Sequence, residues 1–353
     1  MRRSPTTRRI VAQFQPRLIA RLGEARALRY DAGADAAHDV PAHVRAASAI
    51  RRIGTRLVIV QDDVNALAVI DGLTGTTVPL LLPAGPAGSR TFDDLRGNKS
   101  MKLDLEGCVR LPDGRLVALG SGSSPMRERL VVLPVGQGAV PAIVDAASLY
   151  ANLRSHADQR HTELNIEGAV VQGTWLRLMQ RGHGKRRSAM WNAVLDLSLA
   201  DFVGWLDGRR GEAPHLRRVL DVDLGTVSGA PFGFTDATVT SNGRLAFLAC
   251  AEDSVDVRTD GPVLGCRFGW LATDGRTATM TDVLDPDGRP TALKLEGIEA
   301  CEDNENEFQV VADMDRPEDP SLLATLNVRM TWPPRNGHAG RPHHAKPSRE
   351  PTR

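Results

Sequence analysis

Short runs of alternating apolar and polar residues, separated by turn residues, cover most of this chain. The stretch KLDLEGCVRLPDGRLVALGSGSS, residues 102–124, contains an apolar run, a turn at Asp113 and Gly114, and a second apolar run. Asp-Gly and Asn-Gly turns supply the positive φ angles that a two-residue hairpin needs. Each such stretch is therefore predicted to be an antiparallel hairpin.

The hairpin pattern recurs at intervals of about sixty residues. The similar stretches are ELNIEGAVVQGTWLRLMQRGH from Glu163, FGFTDATVTSNGRLAFLACAED from Phe232, ALKLEGIEACEDNENEFQVVADMD from Ala292 and a degenerate copy, HVRAASAIRRIGTRLVIVQDD, from His43. Two further short apolar runs follow each hairpin, except that the last copy lacks the second of them. Such a fixed interval is typical of repeat architectures.

Units of four short strands around an axis are the blades of a β-propeller, which leaves few open sheet edges. The sequence thus predicts an all-β chain, a propeller with five blades of four antiparallel strands. We expect residues 18–31 to supply the missing strand of the last blade and close the ring. A sixth blade would have to lie in the longer interval before the fourth copy, where LSLADFVGWLDGRRGEAP indicates a short helix and a loop.

Three regions follow from this pattern: a flexible N-terminus at 1–15, the propeller at 16–332 and a tail at 333–353. The tail is rich in proline and basic residues and nearly free of apolar ones, a composition typical of disorder.

The overall charge of the chain gives no strong electrostatic field that would attract a charged partner. The 353 residues include 44 Lys+Arg and 43 Asp+Glu, a formal net charge of +1, so we expect no binding to nucleic acid or to anionic membranes. A helix that crosses a bilayer needs about 20 consecutive apolar residues, and no segment of the sequence has them. The N-terminus also lacks the apolar region of a secretory signal. The four cysteines have no C-x-x-C pair and are interpreted as buried apolar residues of a soluble, cytoplasmic protein.

The first strand of a propeller blade lies nearest the axis, so the acidic residue that opens it is expected to face the channel mouth. The residues that align at this place are Glu106, Glu167, Asp236 and Glu296, with Ala47 in the degenerate copy. The second strand ends on the same face, and the polar residues found there are Asp62, Asp63, Ser121, Ser123, Arg181, His183, Glu252, Asp253, Asp313 and Asp315.

Several carboxylates close together raise one another's pKa. Two arrangements relieve this repulsion. A Ca²⁺ ion, which takes about 6–8 oxygen ligands, would make a metal site of Glu106, Glu167, Asp236 and Glu296. Alternatively, backbone N–H groups and basic side chains such as Lys102, Lys294 and Arg181 would neutralise the carboxylates, which would then only hold the blades together.

The motifs LDLEGCVRLPDGRLVALGSGS, LNIEGA, FGFTDATV and LKLEGIE resemble those of an uncharacterised bacterial β-propeller family. That family is distantly similar to the SdiA-regulated and phytase-like propellers, which share a strand that opens with Glu-Gly. The likeness covers about residues 43–328 and is weakest in the first blade. It implies a propeller fold and a polar face, without an established activity.

Two functions remain open, because a fold does not decide between them. The first is a binding or scaffold module that recognises an unknown small molecule or protein at the channel mouth. The second is a calcium-dependent hydrolase, a phosphoesterase or lactonase, with Glu106 or His183 as base and with the RGHGKRR cluster from Arg181 nearby. The sequence contains no identifiable pair of nucleophile and base, which favours the binding module.

Overall fold

The structure is a computed structural model that describes residues 4–136, 138, 140–158, 162–182, 191–253 and 261–331. His183 and the predicted tail at 333–353 lie outside these residues. The described strands are β1 Thr6–Val11, β2 Gln13–Phe14, β3 Leu18–Leu22, β4 Arg26–Ala27, β5 Ala47–Ile53, β6 Arg56–Gln61, β7 Ala66–Asp71, β8 Thr77–Leu81, β9 Leu105–Arg110, β10 Leu116–Gly120, β11 Arg129–Leu133, β12 Ala142–Asp145, β13 Ile166–Gln172, β14 Trp175–Gln180, β15 Ala193–Ser198, β16 Leu216–Asp223, β17 Thr226–Val227, β18 Ala230–Pro231, β19 Gly233–Val239, β20 Leu245–Glu252, β21 Val263–Leu271, β22 Ala278–Leu284, β23 Lys294–Ala300, β24 Glu307–Asp313 and β25 Leu322–Met330. The described α-helices are α1 Ala147–Asp158 and α2 Leu199–Leu206.

The predicted hairpins are present, and their turns have the predicted chemistry. Gly114, Gly173 and Gly243 lie in the turns after β9, β13 and β19, with φ angles of 89°, 59° and 82°. These angles lie in the left-handed region, which glycine adopts without steric cost. Each glycine therefore lets two consecutive strands fold back on each other.

Consecutive strands pair as antiparallel meanders. We name them in chain order: the first meander is β5–β8, the second β9–β12, the third β13–β16, the fourth β19–β22, and the fifth β23–β25 followed by β3. The sheets are nevertheless mixed and unequal, and not the separate four-stranded sheets that were expected. Strand β1 extends the third meander in parallel, and a parallel pairing of β22 with β3 joins the fourth and fifth meanders into one ten-stranded sheet.

The N-terminal segment completes the last meander. Strand β3 pairs antiparallel with β25, from Leu22 opposite Leu326 to Leu18 opposite Met330, as expected for a strand within residues 18–31. Residues 1–15 were predicted to be flexible, but β1 and β2 pair with the outer strands β16 and β22. The reason is that an outer strand offers a row of unpaired backbone groups to any neighbouring segment.

The first strands of the five meanders form a closed ring. Strand β5 contacts β9, β9 contacts β13, β13 contacts β19, β19 contacts β23, and β23 contacts β5. Five clusters of buried apolar residues fill the spaces between successive meanders, for example Ile50 of the first with Val311 of the fifth. Burial of these clusters supplies the main driving force for folding.

The ring is too narrow for side chains at one level, which explains the Glu-Gly motif. A Cβ atom on Gly107 would lie 3.3 Å from the backbone of Gly168, and one on Gly297 would lie 3.0 Å from the backbone of Ala49. Glycine at these two positions therefore allows the neighbouring first strands to approach each other closely.

A buried ion pair fills the centre of the ring. The guanidinium of Arg51 on β5 binds the carboxylate of Asp236 on β19 through two contacts of 2.8 Å. The same guanidinium donates to the backbone carbonyls of Ala169, Ala237 and Ile298 at 3.0–3.1 Å. It thus connects the first strands of four meanders.

Two of the four cysteines form a disulfide, whereas the sequence led to the interpretation of all four as buried apolar residues. Cys250 on β20 and Cys266 on β21 face each other in the ladder and are bonded. Cys108 is free and buried, and Cys301 is free and partly exposed. Because disulfides persist in oxidising compartments, the cysteines no longer support a reducing location. The sequence did not reveal this pair, because only the strand register brings the two sulfurs together.

Replacement of Arg51 should strongly destabilise the chain. Arg51→Met leaves Asp236 as a buried charge without its partner, which costs about 3–5 kcal/mol. Urea unfolding of the variant measures this loss. The matched control is Arg56→Met in the same hairpin. The Arg56 side chain is 63% exposed, and its Nε lies 3.7 Å from Asp71 Oδ2. A loss in Arg51→Met no larger than that of the control would contradict the central role of the pair.

Reduction of the disulfide should also lower stability. The two cysteines are separated by 16 residues, and a loop of this length corresponds to about 3 kcal/mol of unfolding free energy. Urea unfolding with and without reductant measures the difference, and Cys301→Ser should leave it unchanged. Thiol titration of the unfolded chain should give two free thiols before reduction, and four at that stage would show that no disulfide forms.

Candidate binding site at the channel mouth

Three glutamates point into the end of the ring at which the first strands begin, which we call the channel mouth. Glu106 is the extra residue of a β-bulge, because Leu105 faces Gly120 and Gly107 faces Leu119, with no partner left for Glu106. Glu167 and Glu296 occupy the same place in β13 and β23. A bulge redirects a side chain away from the regular alternation, and here it places three carboxyl groups at one mouth.

The equivalent residues of the other two meanders are Ser48 and Thr235, and not Ala47 and Asp236 as predicted. The Ser48 hydroxyl donates to the carbonyl of Leu105 at 2.5 Å, and the Thr235 hydroxyl donates to the carbonyl of Leu295 at 2.7 Å. Asp236 lies one position further along, is fully buried and binds Arg51. Alignment on acidic residues alone shifted the register by one, so Asp236 does not join the predicted metal ligands.

Lys102 lies between three carboxylates of the first and second meanders. Its ammonium is 2.5 and 2.6 Å from the two oxygens of Asp62 and 2.8 Å from Asp104 Oδ1. One oxygen from each of Asp62, Asp104 and Glu106 lies within 4.8 Å of the others, a spacing that could hold a metal ion. Lys102 and Asp104 are buried, whereas Asp62 and Glu106 are half-buried, so the cluster is partly open to solvent.

Asp104 is the best-neutralised member of this cluster. Arg127 Nη1 lies 2.8 Å from its Oδ2, and the hydroxyl of Ser121 donates to the same oxygen. Ser123 in turn contacts Ser121 at 2.9 Å. Burial acts to raise the pKa of Asp104, but Lys102 and Arg127 outweigh burial and hold the pKa at about 2.

The other carboxyl groups of the cluster retain protons more strongly. Burial raises the pKa of Asp62 to about 8, with Lys102 opposing and Asp104 and Asp63 adding to the rise. Burial, together with the charges of Asp62 and Glu167, also raises the pKa of Glu106 well above its ordinary value. One lysine therefore does not neutralise all of these groups.

Arg181 joins the third and fourth meanders at the mouth. Its Nη2 lies 2.6 Å from Glu252 Oε1, and its Nη1 lies 3.6 Å from Glu167 Oε1. Asn165 also donates to Glu167 Oε1, at 2.5 Å. The arginine packs on Gly233, where a Cβ atom would lie 2.7 Å from Arg181 Cγ. A larger residue at 233 would displace this bridge.

Lys294 pairs with two carboxylates of its own meander, the fifth. Its ammonium lies 2.9 Å from Asp315 Oδ1 and 3.5 Å from Glu296 Oε1. Glu296 Oε2 is buried, and no described residue forms a hydrogen bond with it. Burial raises the pKa of Asp313 to about 7 and that of Glu296 well above its ordinary value, with Lys294 opposing both shifts.

An electrostatic interaction connects the polar residues of the fifth meander to those of the first. The charge of Asp63 in the first meander acts on Asp313 in the fifth, and Asp63 binds Arg45 at 2.6 Å. Every meander thus contributes to one polar network. Within the part of the chain that the structure describes, its members are nine carboxyl groups and five cations, namely Asp62, Asp63, Asp104, Glu106, Glu167, Glu252, Glu296, Asp313 and Asp315 with Arg45, Lys102, Arg127, Arg181 and Lys294.

Most of the predicted mouth residues therefore converge, with three differences. Asp236 lies inside the ring, Asp253 is exposed beyond the end of β20, and His183 lies outside the described residues. The sequence reasoning missed Asp104, Arg127 and Arg45. Asp104 carried a usable signal, because it precedes Glu106 by two residues in the same Asp-Leu-Glu-Gly motif.

Comparison with known proteins places the chain in a family. A family model described as a family of unknown function, DUF6929, matches residues 43–328. The chain belongs to this family. The match spans the residues on which the expected resemblance rested, whereas the likeness of this DUF6929 chain to SdiA-regulated and phytase-like propellers stays a prediction. No curated protein matches it.

Several solved structures are similar to the DUF6929 chain in fold. They include a glutaminyl cyclase of Myxococcus xanthus, with 9% identity over 92% of this chain and 100% of that chain and a TM-score of 0.44. An α-L-arabinanase of Penicillium chrysogenum has 10% identity over 81% and 97% with a TM-score of 0.44. The β-propeller domain of Cps50 (Swd1) of Myceliophteria thermophila has 11% identity over 76% and 62% with a TM-score of 0.33.

No helix in the described part of the DUF6929 chain is long and apolar enough to cross a membrane. The cytoplasmic location expected from the sequence stays a prediction.

Asp62 should make the stability of the chain fall as pH rises. Its pKa in the folded chain, about 8, lies above the ordinary value of 3.8, so the folded state binds the proton more tightly. The resulting stabilisation is complete at low pH and is lost as pH rises from about 4 to about 8. Asp62→Asn should therefore gain stability relative to the unsubstituted chain between about pH 5 and pH 8, as urea unfolding would measure.

Asp71→Asn is the matched control for this measurement. Asp71 is in the same meander, but hydrogen bonds from the Thr74 and Leu73 backbones lower its pKa, so it does not titrate in this pH range. If Asp62→Asn instead lost stability relative to the parent as pH rose, Asp62 would be a fully ionised partner of Lys102.

Proposed function

We propose that this chain is a β-propeller of five blades that binds the cationic group of a ligand, or a Ca²⁺ ion, at its channel mouth. The five consecutive meanders and the closed ring of contacts from β5 through β23 and back to β5 support the blade count. In this interpretation, the parallel pairings of β1 and β3 are additions at the outer edges of the blades. They do not interrupt the ring.

The excess of carboxyl groups at the mouth carries the proposal. Among the described residues, nine carboxyl groups share five cations there, and buried oxygens of two of them, Asp63 Oδ1 and Glu296 Oε2, have no hydrogen-bond partner. Leaving such a group without a partner costs about 1–3 kcal/mol, and more for a charged group. A cationic ligand would supply the missing charge and the missing hydrogen bonds.

The position of Lys102 indicates which chemistry the mouth accepts. Its ammonium already binds Asp62 and Asp104 at 2.5–2.8 Å, as the amine of a ligand would. A hard cation with a preference for oxygen ligands, such as Ca²⁺, suits the same carboxylates. Lys102 and an added cation therefore compete for the cluster of Asp62, Asp104 and Glu106.

Binding should be linked to proton release. Asp62, Glu106, Asp313 and Glu296 have raised pKa values, because burial disfavours their charged forms. A cation binds the ionised carboxylates, so it must displace the protons that these groups hold. The apparent affinity for a cation is accordingly expected to increase with pH.

Removal of Lys102 should strengthen the binding of Ca²⁺. Lys102→Gln frees the oxygens of Asp62 and Asp104 and removes the competing charge, and Ca²⁺ at about 100 times its Kd would then add about 2.7 kcal/mol to the stability. Thermal melting with chelator and with added Ca²⁺ measures the shift for the variant and for the unsubstituted chain.

Lys99→Gln is the matched control, because Lys99 lies three residues away and pairs with the exposed Asp94, at 3.0 Å, and not with the cluster. It should show the same Ca²⁺ shift as the unsubstituted chain. The proposal for Ca²⁺ fails if Lys102→Gln melts at one temperature with and without Ca²⁺. It also fails if a Glu106→Gln/Asp62→Asn double variant retains the full shift.

A calcium-dependent hydrolase at the same mouth is the second candidate, and one observation favours it. Burial raises the pKa of Asp313 to about 7, the range in which a carboxylate can act as a general base at neutral pH. Turnover of a phosphate monoester or lactone probe that disappears in Asp313→Asn, with Ca²⁺ binding retained, would support it. Binding of Ca²⁺ without turnover of such probes would support the binding module.

A further inference from the structure

We propose that a second ligand site lies at the opposite end of the ring and binds a small zwitterion, a molecule with one carboxylate and one ammonium group. The site is a cavity of about 270 Å³ whose lining includes Arg52, Cys301, Glu302, Asp303, Glu307 and Gln309. Pockets for drug-sized ligands have volumes of about 300 Å³ or more. This cavity is slightly smaller, so it suits a molecule of the size of an amino acid.

The topology separates this cavity from the channel mouth. Strand β5 begins at the mouth with Ala47 and ends at Ile53, so Arg52 lies at the far end of the ring. Cys301 directly follows β23, and Glu307 begins β24, both at the same far end. None of the mouth residues lines the cavity, so the two proposed sites can be tested separately.

Arg52 provides the first half of the recognition. Its backbone N–H donates to Glu299 Oε1 at 2.9 Å, but its side-chain Nε is buried and has no hydrogen-bond partner among the residues that the structure describes. Within the described part of the chain, the guanidinium forms no ion pair, in contrast to the buried Arg51 on the same strand. Since a guanidinium binds a carboxylate through two parallel hydrogen bonds, a carboxylate is the ligand group that satisfies this donor.

The acidic residues around the cavity provide the second half. Glu302 and Asp303 are exposed at its rim, and Glu307 lies further in. These three carboxylates outnumber the single cation Arg52, so a simple anion would be repelled from the cavity. A simple cation would leave the Arg52 Nε without a partner. A zwitterion satisfies both ends, with its carboxylate on Arg52 and its ammonium near the acidic rim.

Cys301 offers a chemical reporter in the cavity wall. It is the partly exposed free thiol of the chain, because Cys108 is buried and the other two cysteines form the disulfide. Its sulfur contacts Glu307 at 3.7 Å and Gln309 at 3.9 Å, so a ligand in the cavity would cover it. Burial raises the pKa of this thiol, and alkylation is therefore best followed at mildly alkaline pH.

The experiment measures how fast iodoacetamide alkylates Cys301 in the full-length chain, by peptide mass spectrometry. Glycine and L-alanine are the zwitterionic probes, and propionate and ethylamine each carry one of the two charged groups of L-alanine. A zwitterionic probe at about ten times its Kd should slow the alkylation about tenfold. Propionate and ethylamine should protect much less.

Two variants connect the protection to the proposed contacts. Arg52→Met should abolish protection by the zwitterions, and it should fold because the guanidinium of Arg52 forms no ion pair with any described residue and its Nε has no hydrogen-bond partner among them. Arg56→Met, four residues along the same hairpin, should leave protection unchanged. Glu307→Gln should weaken protection by the zwitterions and leave the weak effect of propionate unaltered or stronger.

The proposal is overturned if neither glycine nor L-alanine slows the alkylation. It is also overturned if propionate or ethylamine alone protects as well as L-alanine, which would indicate a simple anion or cation site. Protection that persists in Arg52→Met would place the probe elsewhere, and it would overturn the proposal as well.

Discussion

The ion pair between Arg51 and Asp236 is the contact on which the rest of this ring depends. A ring of first strands brings backbone carbonyls from several meanders toward one axis, and these carbonyls need donors because water is excluded there. The guanidinium of Arg51 supplies donors to three strands other than its own, and Asp236 balances its charge. Protein atoms consequently fill the centre of the ring, and the candidate ligand-binding residues lie at its two ends.

The two ends of the ring differ in which polar side chains the strands place there and in how those side chains are paired. At the channel mouth, β-bulges direct Glu106, Glu167 and Glu296 into one space, where Lys102, Arg181 and Lys294 partly neutralise them. At the far end, the hairpin loop between β23 and β24 lines the cavity beside Arg52, whose Nε has no hydrogen-bond partner among the described residues. One end therefore has a surplus of acceptors, and the other contains a donor without an acceptor.

Membership of a family of unknown function agrees with this division between scaffold and sites. The apolar clusters between meanders and the glycines at the axis specify a ring, and they would do so for many activities. The disulfide between Cys250 and Cys266 adds a covalent constraint within the fourth meander. Five carboxyl groups with raised pKa values lie at the mouth, Asp62, Asp63, Glu106, Glu296 and Asp313, and such perturbed groups are characteristic of functional sites.

The sequence by itself determined the hairpins, the repeat interval and the strand that residues 18–22 add to the last meander, because alternation and turn glycines are local properties. It also placed Glu106, Glu167 and Glu296 together, since a repeat carries equivalent residues to equivalent places. Only the tertiary structure decided that Asp236 faces Arg51, that Cys250 faces Cys266, and that Arg52 Nε is buried without a hydrogen-bond partner among the described residues. Each of these depends on a strand register or on residues far apart in the chain, and a shift of one residue reverses the direction of a side chain.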